Sequence, residues 1–449
     1  MATYKTKDEV VITPATWQQR SGTLKKTPSG LYNLVGWYGS THKSAMWRKA
    51  HQFLDVFQGM DGVGFDPQID DWDVSYAAIA AEVLATASVV IIRLENNELL
   101  NGSLGSIAEI GMALTSAALR GQIVIVSIEE GLLTSLNESG AIAQYMMLEL
   151  SLEQLDEISD LTQFLQIHRG DDLQELAIMA CQATKEQMET PQAGLDFDSF
   201  ITKKARRSQN YPLRVLLGGS GGPYSKAYEE RFQEKKQALI SAYRADGQMV
   251  KVLSEGAIAE AWKIPYGSID NLEVALATRT LLAIEIEFKQ EADVLLIPIM
   301  AEAASKAAAT EIGLLLLHSL ITGQNIKIYL EPFDPVDYIR HQLADVDIAG
   351  IQHEKQMRQA LLQAGVSANI LSIAVQTEIY ETFNIFRAMM QGDQTGTKQI
   401  KNSLLGKTAA FQKADNIRRV RALVQAHLER LHNDSRFTGF FTYLTQIEV

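Results

Sequence analysis

The chain of 449 residues holds a single cysteine, and none of its apolar runs reaches the ~18 residues that a membrane span needs. One cysteine excludes an intrachain disulfide and fits a reducing compartment. Cys181 lies in LAIMACQATK, an apolar helical pattern, and reads as a small buried core residue rather than a nucleophile. Excess basic charge is also missing. The formal net charge of -13 argues against a nucleic-acid polymer or an anionic membrane surface as partner and favours small ligands. The opening stretch MATYKTKDEVVITP has no apolar core of the kind a signal peptide carries, so a cytoplasmic location is expected. Neither the histidines nor the cysteine show metal-ligand spacing, and no metal or cofactor is expected.

What is present is ordinary globular composition, 46% hydrophobic and 21% charged, in a chain long enough for two or three domains. Two continuous β-branched runs, SVVIIRL (88–94) and DVLLIPI (293–299), read as strands buried on both faces of a parallel sheet. Aligning Ser88 with Asp293 also aligns Glu82 with Glu287. Each run leads through a short loop into a helix bearing Glu-Ile-Gly, SLGSIAEIGMAL (103–114) and SKAAATEIGLLL (305–316). Each helix then ends at a glycine followed by another strand, at 121–126 and 323–330. Upstream, LYNLVGWYGSTHKSAMWRKAHQFL (31–54) and LRVLLGGSGGPYSKAYEERFQEKKQAL (213–239) share the order strand, Gly-Ser turn, helix. Alternating strands and helices with short Gly-rich turns indicate βαβ units.

The fold class is therefore α/β, with two tandem three-layer parallel-sheet domains and a helical C-terminal region. An N-terminal segment covers 1–27, the first copy 28–185, a linker 186–209, the second copy 210–340 and the helical region 341–449. In the linker, KKARR (203–207) reads as a solvated basic turn in an acidic protein rather than a phosphate patch. Helical spacing without βαβ alternation marks 354–366, 370–390 and 415–432, with breaks at 391–397 and 433–439. Arg418, Arg419 and Arg421 there read as a solvated face.

Ligands of open parallel sheets bind at the carboxyl ends of the strands. Three groups of the first copy converge on that edge. The turn Gly36-Trp37-Tyr38-Gly39-Ser40 could let a phosphate, hydroxyl or carboxylate approach the backbone, with Gly219 and Ser220 as counterparts. By itself it is a weak signal, lacking both the Lys-Ser/Thr ending of a triphosphate loop and dinucleotide-fingerprint spacing. In FDPQIDDWD (65–73), Asp66, Asp70, Asp71 and Asp73 surround Trp72. Either this is an acidic turn with an anchoring Trp, or a ring for stacking a base flanked by carboxylates. The third group is Ser103, Ser106 and Glu109. Ser106-x-x-Glu109 matches a capping box at a helix start, but the second copy has Ala308 where the cap would be, before Thr310 and Glu311. Capping does not explain a Glu held in both copies. The following Gly111 and Gly313 each cost a helix ~1 kcal/mol relative to Ala. Chemistry is the better account of Glu109.

LVGWYGS, FDPQIDDW, ASVVII and GSIAEIG, in this order, resemble the nucleoside 2-deoxyribosyltransferase family. Its pattern is a strand ending in Gly-rich residues, an N/D-P…D-W segment, an A-D-V-I strand and G-T/S-x-x-E-[IL]-G. The resemblance covers 31–130 and 213–330. Ser88 replaces the usual Asp in the first copy, whereas Asp293 keeps it in the second, which lacks the Asp-Trp segment. The resemblance implies flavodoxin-like domains and an enzyme that cleaves the N-glycosidic bond of a (deoxy)nucleoside or nucleotide, passing the sugar to another base or to water. It implies Glu109 as nucleophile, with Glu311 its counterpart, assisted by Glu82 (Glu287 in the second copy) and Asp71. The implied partners are a nucleoside, nucleotide or nucleobase, and either a homo-oligomer or an intrachain pseudo-dimer. The alternative is a non-catalytic nucleotide-binding sensor on the same fold, which the partly degenerate second copy and the helical region would suit.

Overall fold

The computed structural model of the chain describes residues 4–5, 11–12, 23–39, 46–67, 74–95, 104–130, 163–195, 213–217, 250–254, 294–299, 325–330, 353–392, 397–434 and 441–444, with scattered positions between 230 and 351. The chain divides into two compact units. The first comprises Met1–Met300, Ser305–Glu331 and Ala422–Val449; the second comprises Ala301–Ala304 and Pro332–Arg421.

In the first unit, β1 (Tyr4–Lys5) and β2 (Val11–Ile12) form a small antiparallel pair. A five-stranded, wholly parallel sheet follows: β3 (Tyr32–Gly39), β4 (Gly64–Phe65), β5 (Ala87–Leu94), β6 (Ile123–Ile128) and β7 (Leu165–Arg169), in spatial order β4-β3-β5-β6-β7. Helices α1 (His51–Gly59), α2 (Ala77–Thr86), α3 (Leu104–Arg120) and α4 (Leu173–Glu189) cover it. All eight residues of β5 are buried. That is why its sequence is a β-branched run without polar alternation: helices lie on both of its faces.

The pleat assigns each side chain to a layer. Val35, Trp37, Val89, Ile91, Ile123 and Ile125 point to one face and pack with Phe53 and Phe57 of α1 and with Leu176, Ala177, Ala180 and Cys181 of α4. The rings interlock: Trp37 meets Phe53 and Phe57 edge-on at centroid distances of 5.4 and 5.3 Å, and Trp47 meets Phe53 at 5.2 Å. Gly64 makes room for this, since a Cβ there would run into the Trp37 indole. Cys181 is buried in the same cluster, and burial pushes its thiol up to about 11. It is a core residue.

Between β3 and α1 the chain makes one turn of 3-10 helix, Met46–Lys49, which brings Trp47 into the ring cluster and Arg48 to the end of β3. Helix α4 starts cleanly because the Asp172 carboxylate accepts from the amides of Gln174 and Glu175 at 2.9 and 3.1 Å.

A second parallel sheet of five strands is built from β8 (Leu213–Leu217), β9 (Val250–Ser254), β10 (Val294–Ile299), β11 (Asn325–Leu330) and β12 (Phe441–Leu444), in spatial order β12-β11-β10-β8-β9. The runs predicted around 88–94, 121–126, 293–299 and 323–330 are all strands. The expectation of helix from 341 to the C-terminus does not include β12, which returns to the sheet more than a hundred residues after β11.

The second unit is helical: α5 (Glu354–Gln363), α6 (Ala368–Ile373), α7 (Gln376–Met390), α8 (Thr397–Asn402) and the first part of α9 (Ala409–His432). Tyr338, Phe386, Met389, Ile400, Leu405, Phe411 and Ile417 share one core cluster. Ser367 and Thr408 cap α6 and α9 through the amides of Ile370 and Phe411. The expected solvated arginine face is corrected. Arg418 and Arg419 both pair with Asp415 at 2.8 Å and are largely covered, and Arg421 is buried. Arg418 and Arg419 thus share one carboxylate. No helix among the described residues is long and apolar enough to cross a membrane.

Candidate functional site

Two groups of polar side chains are buried against the first sheet, one on each face. On the α2/α3 face lies Tyr38, whose hydroxyl donates to the carbonyl of Ala80 on α2. Its phenol is held well above the usual value, first by burial and then by the negative charge of Glu109. Glu109 is in the second turn of α3, since that helix begins at Leu104. The reading of Glu109 as a first-turn residue is thereby corrected, and the capping box that comparison of the two copies had already set aside does not apply. Ser106 is inside the helix, and no acid occupies its first turn.

The Glu109 carboxylate is instead turned towards α9. Its Oε1 is 3.7 Å from Nε2 of His427, and both side chains are buried, at 7% and 3% exposure. One turn along α9, Arg430 Nε donates to Glu82 Oε2 of α2 at 3.0 Å. At the end of the helix, Asp434 Oδ2 accepts from Arg120 Nη2 at 2.7 Å. Glu82 stands towards the amino end of the sheet, where its charge, after burial, raises the phenol of Tyr32 at the start of β3. Glu109 stands nearer the carboxyl end, beside Tyr38. The two acids face the same helix about one turn apart.

The second polar group lies along the carboxyl edge on the α1/α4 face. Register sets Gly39, Arg93, Ser127 and His168 in one row across β3, β5, β6 and β7. Gly39 has φ +148°, and a Cβ there would sit 2.8 Å from the Arg93 carbonyl and 3.0 Å from Nη2 of Arg48, so the position requires glycine. Arg93 Nη1 donates to Ser127 Oγ at 2.7 Å and to the Gly170 carbonyl at 3.1 Å. Its Nε and Nη2 stand 3.5 Å from Glu95 and Asp171. Ser127 Oγ is 3.0 Å from Nδ1 of His168. Burial, then the charge of Arg93, lowers the His168 imidazole, against the opposing pull of Glu175 and Asp172. Burial raises the Glu95 carboxyl, and Arg93 opposes that shift. One buried guanidinium thus ties together the ends of three strands.

Of the residues singled out in the sequence, Tyr38, Glu82 and Glu109 come to one face. Trp37 does not. The expectation that it faces a ligand is corrected, because strand alternation turns it into the ring cluster on the opposite side. Gly36 accommodates the Tyr38 ring and Val83, since a Cβ would be 2.8 and 3.1 Å from them. Asp66 is committed to an ion pair with buried Arg48 at 3.4 Å. Ser40, Asp71, Trp72, Ser103, Gly219, Ser220, Glu287, Thr310 and Glu311 lie outside the described residues, as does the side chain of Ser106. Sequence reasoning missed Arg48, Arg93, His168, His427 and Arg430. A charge inside SVVIIRL was a usable sign for Arg93. His427 and Arg430 carry no local sign, because their partners are more than three hundred residues away.

Among the described residues no cluster of three or more His, Cys, Asp or Glu side chains could hold a metal ion. No protein-family model, no curated protein and no solved structure matches the chain.

Proposed function

We propose that the chain is a nucleoside 2-deoxyribosyltransferase-like enzyme that cleaves the N-glycosidic bond of a (deoxy)nucleoside or nucleotide, with Glu109 as the nucleophile. The observation that carries this reading is the burial of Glu109 beside Tyr38 at the carboxyl half of a parallel sheet, with no hydrogen bond to its carboxylate among the described residues. A buried carboxylate without a structural bond is costly and is retained where it has work to do.

In the proposed reaction a Glu109 oxygen attacks C1′ of the sugar through an oxocarbenium-like state. The C1′–N bond breaks and its electron pair goes to the departing base, which takes up a proton. A second base, or water, then attacks C1′ from the vacated face, returns a proton to the group that supplied the first, and frees Glu109, so that configuration at C1′ is retained overall. The bond from Arg430 commits one oxygen of Glu82 to an ion pair, so the proton for the leaving base is assigned to Asp71. The duplication belongs to the same reading. Counting strands from the start of each sheet, both follow the order 2-1-3-4-5, which is the flavodoxin-like order.

One observation favours a second reading. Helix α9 covers Glu82 and Glu109 through paired side chains, as it would in a nucleotide-binding sensor whose carboxylates no longer react. Incubation with 2′-deoxynucleosides or their 5′-phosphates and a free base, followed by chromatography, separates the two. Exchange or hydrolysis by the wild type, reduced at least about a thousandfold in Glu109→Ala, is the expected result. Equal inertness of both proteins across nucleosides and nucleotides would give the protein to the sensor reading.

A further inference from the structure

The pairing of α9 with the first sheet follows a pattern. His427 and Arg430 are three residues apart on one side of the helix, and Asp434 follows two residues past its end. Their partners Glu109 and Arg120 are eleven residues apart on α3, about three turns, and Glu82 is on the neighbouring α2. Two of the three contacts are short, charge-assisted hydrogen bonds of 3.0 and 2.7 Å, and they fix the helix on both sheet helices.

The third contact is different. His427 is buried, yet its Nε2 makes no hydrogen bond among the described residues and stops 3.7 Å from Glu109 Oε1. An unpartnered polar atom in a buried site costs stability that a contact made only for packing would not require. A phenyl ring would fill the same space without that cost. A gap slightly longer than a hydrogen bond is also what catalytic pairs show before substrate closes the site.

We propose that His427 is a positioning residue for Glu109, one that fixes Oε1 through Nε2 and leaves Oε2 to meet the sugar carbon. This inference rests on the glycosyl-transfer reading above. It implies that α9 completes a site whose nucleophile is far upstream in sequence, and that Arg430 and Asp434 hold that helix in place. The imidazole acts through the carboxylate and exchanges no covalent bond with substrate.

Two measurements on the full chain test it together. In base exchange, His427→Phe keeps the shape and loses the donor, whereas His427→Gln restores an N–H. The expected result is a kcat at least tenfold lower for His427→Phe with KM within about twofold, and recovery to within about threefold of wild type for His427→Gln. Equal kcat in all three proteins, or equal loss in both variants, overturns the proposal. Alongside, a denaturation cycle is run on wild type, His427→Phe, Glu109→Gln and the double variant. Non-additivity of at least about threefold in the unfolding constant is expected, and additivity overturns the pairing. If the wild type exchanges nothing, the positioning role falls with the reaction. The cycle then tells which part failed: coupling shows a real pair in a protein of other function, and additivity shows that neither stands.

Discussion

Adjacent residues of β3 lead to opposite kinds of surroundings. Trp37 enters a cluster of Phe53, Phe57, Trp47 and aliphatic side chains, whereas Tyr38 meets Glu109 under a helix that brings a histidine and an arginine. Around Trp37 and Tyr38, β3 is buried on both faces, so burial does not distinguish them. What differs is the company of each side chain: rings and aliphatic groups around Trp37, a carboxylate beside Tyr38. The ring face is a packing problem solved by volume, and Gly64 is left empty of a Cβ to solve it. Buried ionisable groups lie at the carboxyl edge of the α1/α4 face too, but those of the α2/α3 face are met by a distant part of the chain, α9.

Emptying the ring face is expected to have the largest effect. Trp37→Ala removes the ring that touches both Phe53 and Phe57, and a destabilisation of about 3–5 kcal/mol is expected in urea denaturation. Tyr38→Phe, on the other face, removes one hydroxyl that donates to Ala80 and is expected to cost about 1 kcal/mol. Similar losses for the two variants would show that the faces do not divide labour as described.

A smaller effect is expected from the charged side. Arg430→Met leaves the buried Glu82 without that cation, and a loss of about 1–2 kcal/mol follows, reduced from the fully buried case because Arg430 itself is about one-third exposed. Adding Glu82→Leu should return most of it, since a shape-filling aliphatic pair replaces an ion pair with little net cost. If the double variant were as unstable as the two single losses combined, the α2/α3 face would be a packing surface like the other one.

These contrasts also explain which parts of the molecule were legible in sequence. Strands such as SVVIIRL and DVLLIPI announce themselves because each carries a continuous β-branched and aliphatic stretch, with polar residues confined to the ends of the run. Glu109 stood out because a carboxylate within an apolar helix needs a reason. Trp37 was misjudged because a Gly-rich turn suggests an open edge, and only the parity of β3 shows that this ring points inward. β12 was missed because a four-residue edge strand after a long helix gives too little pattern. His427 and Arg430 could not have been found, since helical spacing assigns them to a face but cannot say what packs there.

The row at the carboxyl edge gives the smallest effect, and it concerns the α1/α4 side of the comparison. His168 is buried between Ser127 and the start of α4, and its lowered imidazole owes that first to burial and then to Arg93; Glu175 and Asp172 pull the other way. In the unfolded chain the ring regains its usual value of about 6.5. Below that pH the unfolded state takes up a proton that the folded state refuses until the lower folded value is reached. Stability from this group is therefore complete above about 6.5 and is lost as pH falls towards the folded value. His168→Gln keeps a polar side chain beside Ser127 but cannot titrate. Melting temperatures of the two proteins compared between about pH 7.5 and pH 5.5 should show the wild type falling more steeply than the variant. Parallel curves would mean that His168 is no more protected from protonation when folded than when unfolded, and that the Arg93 row is open to water.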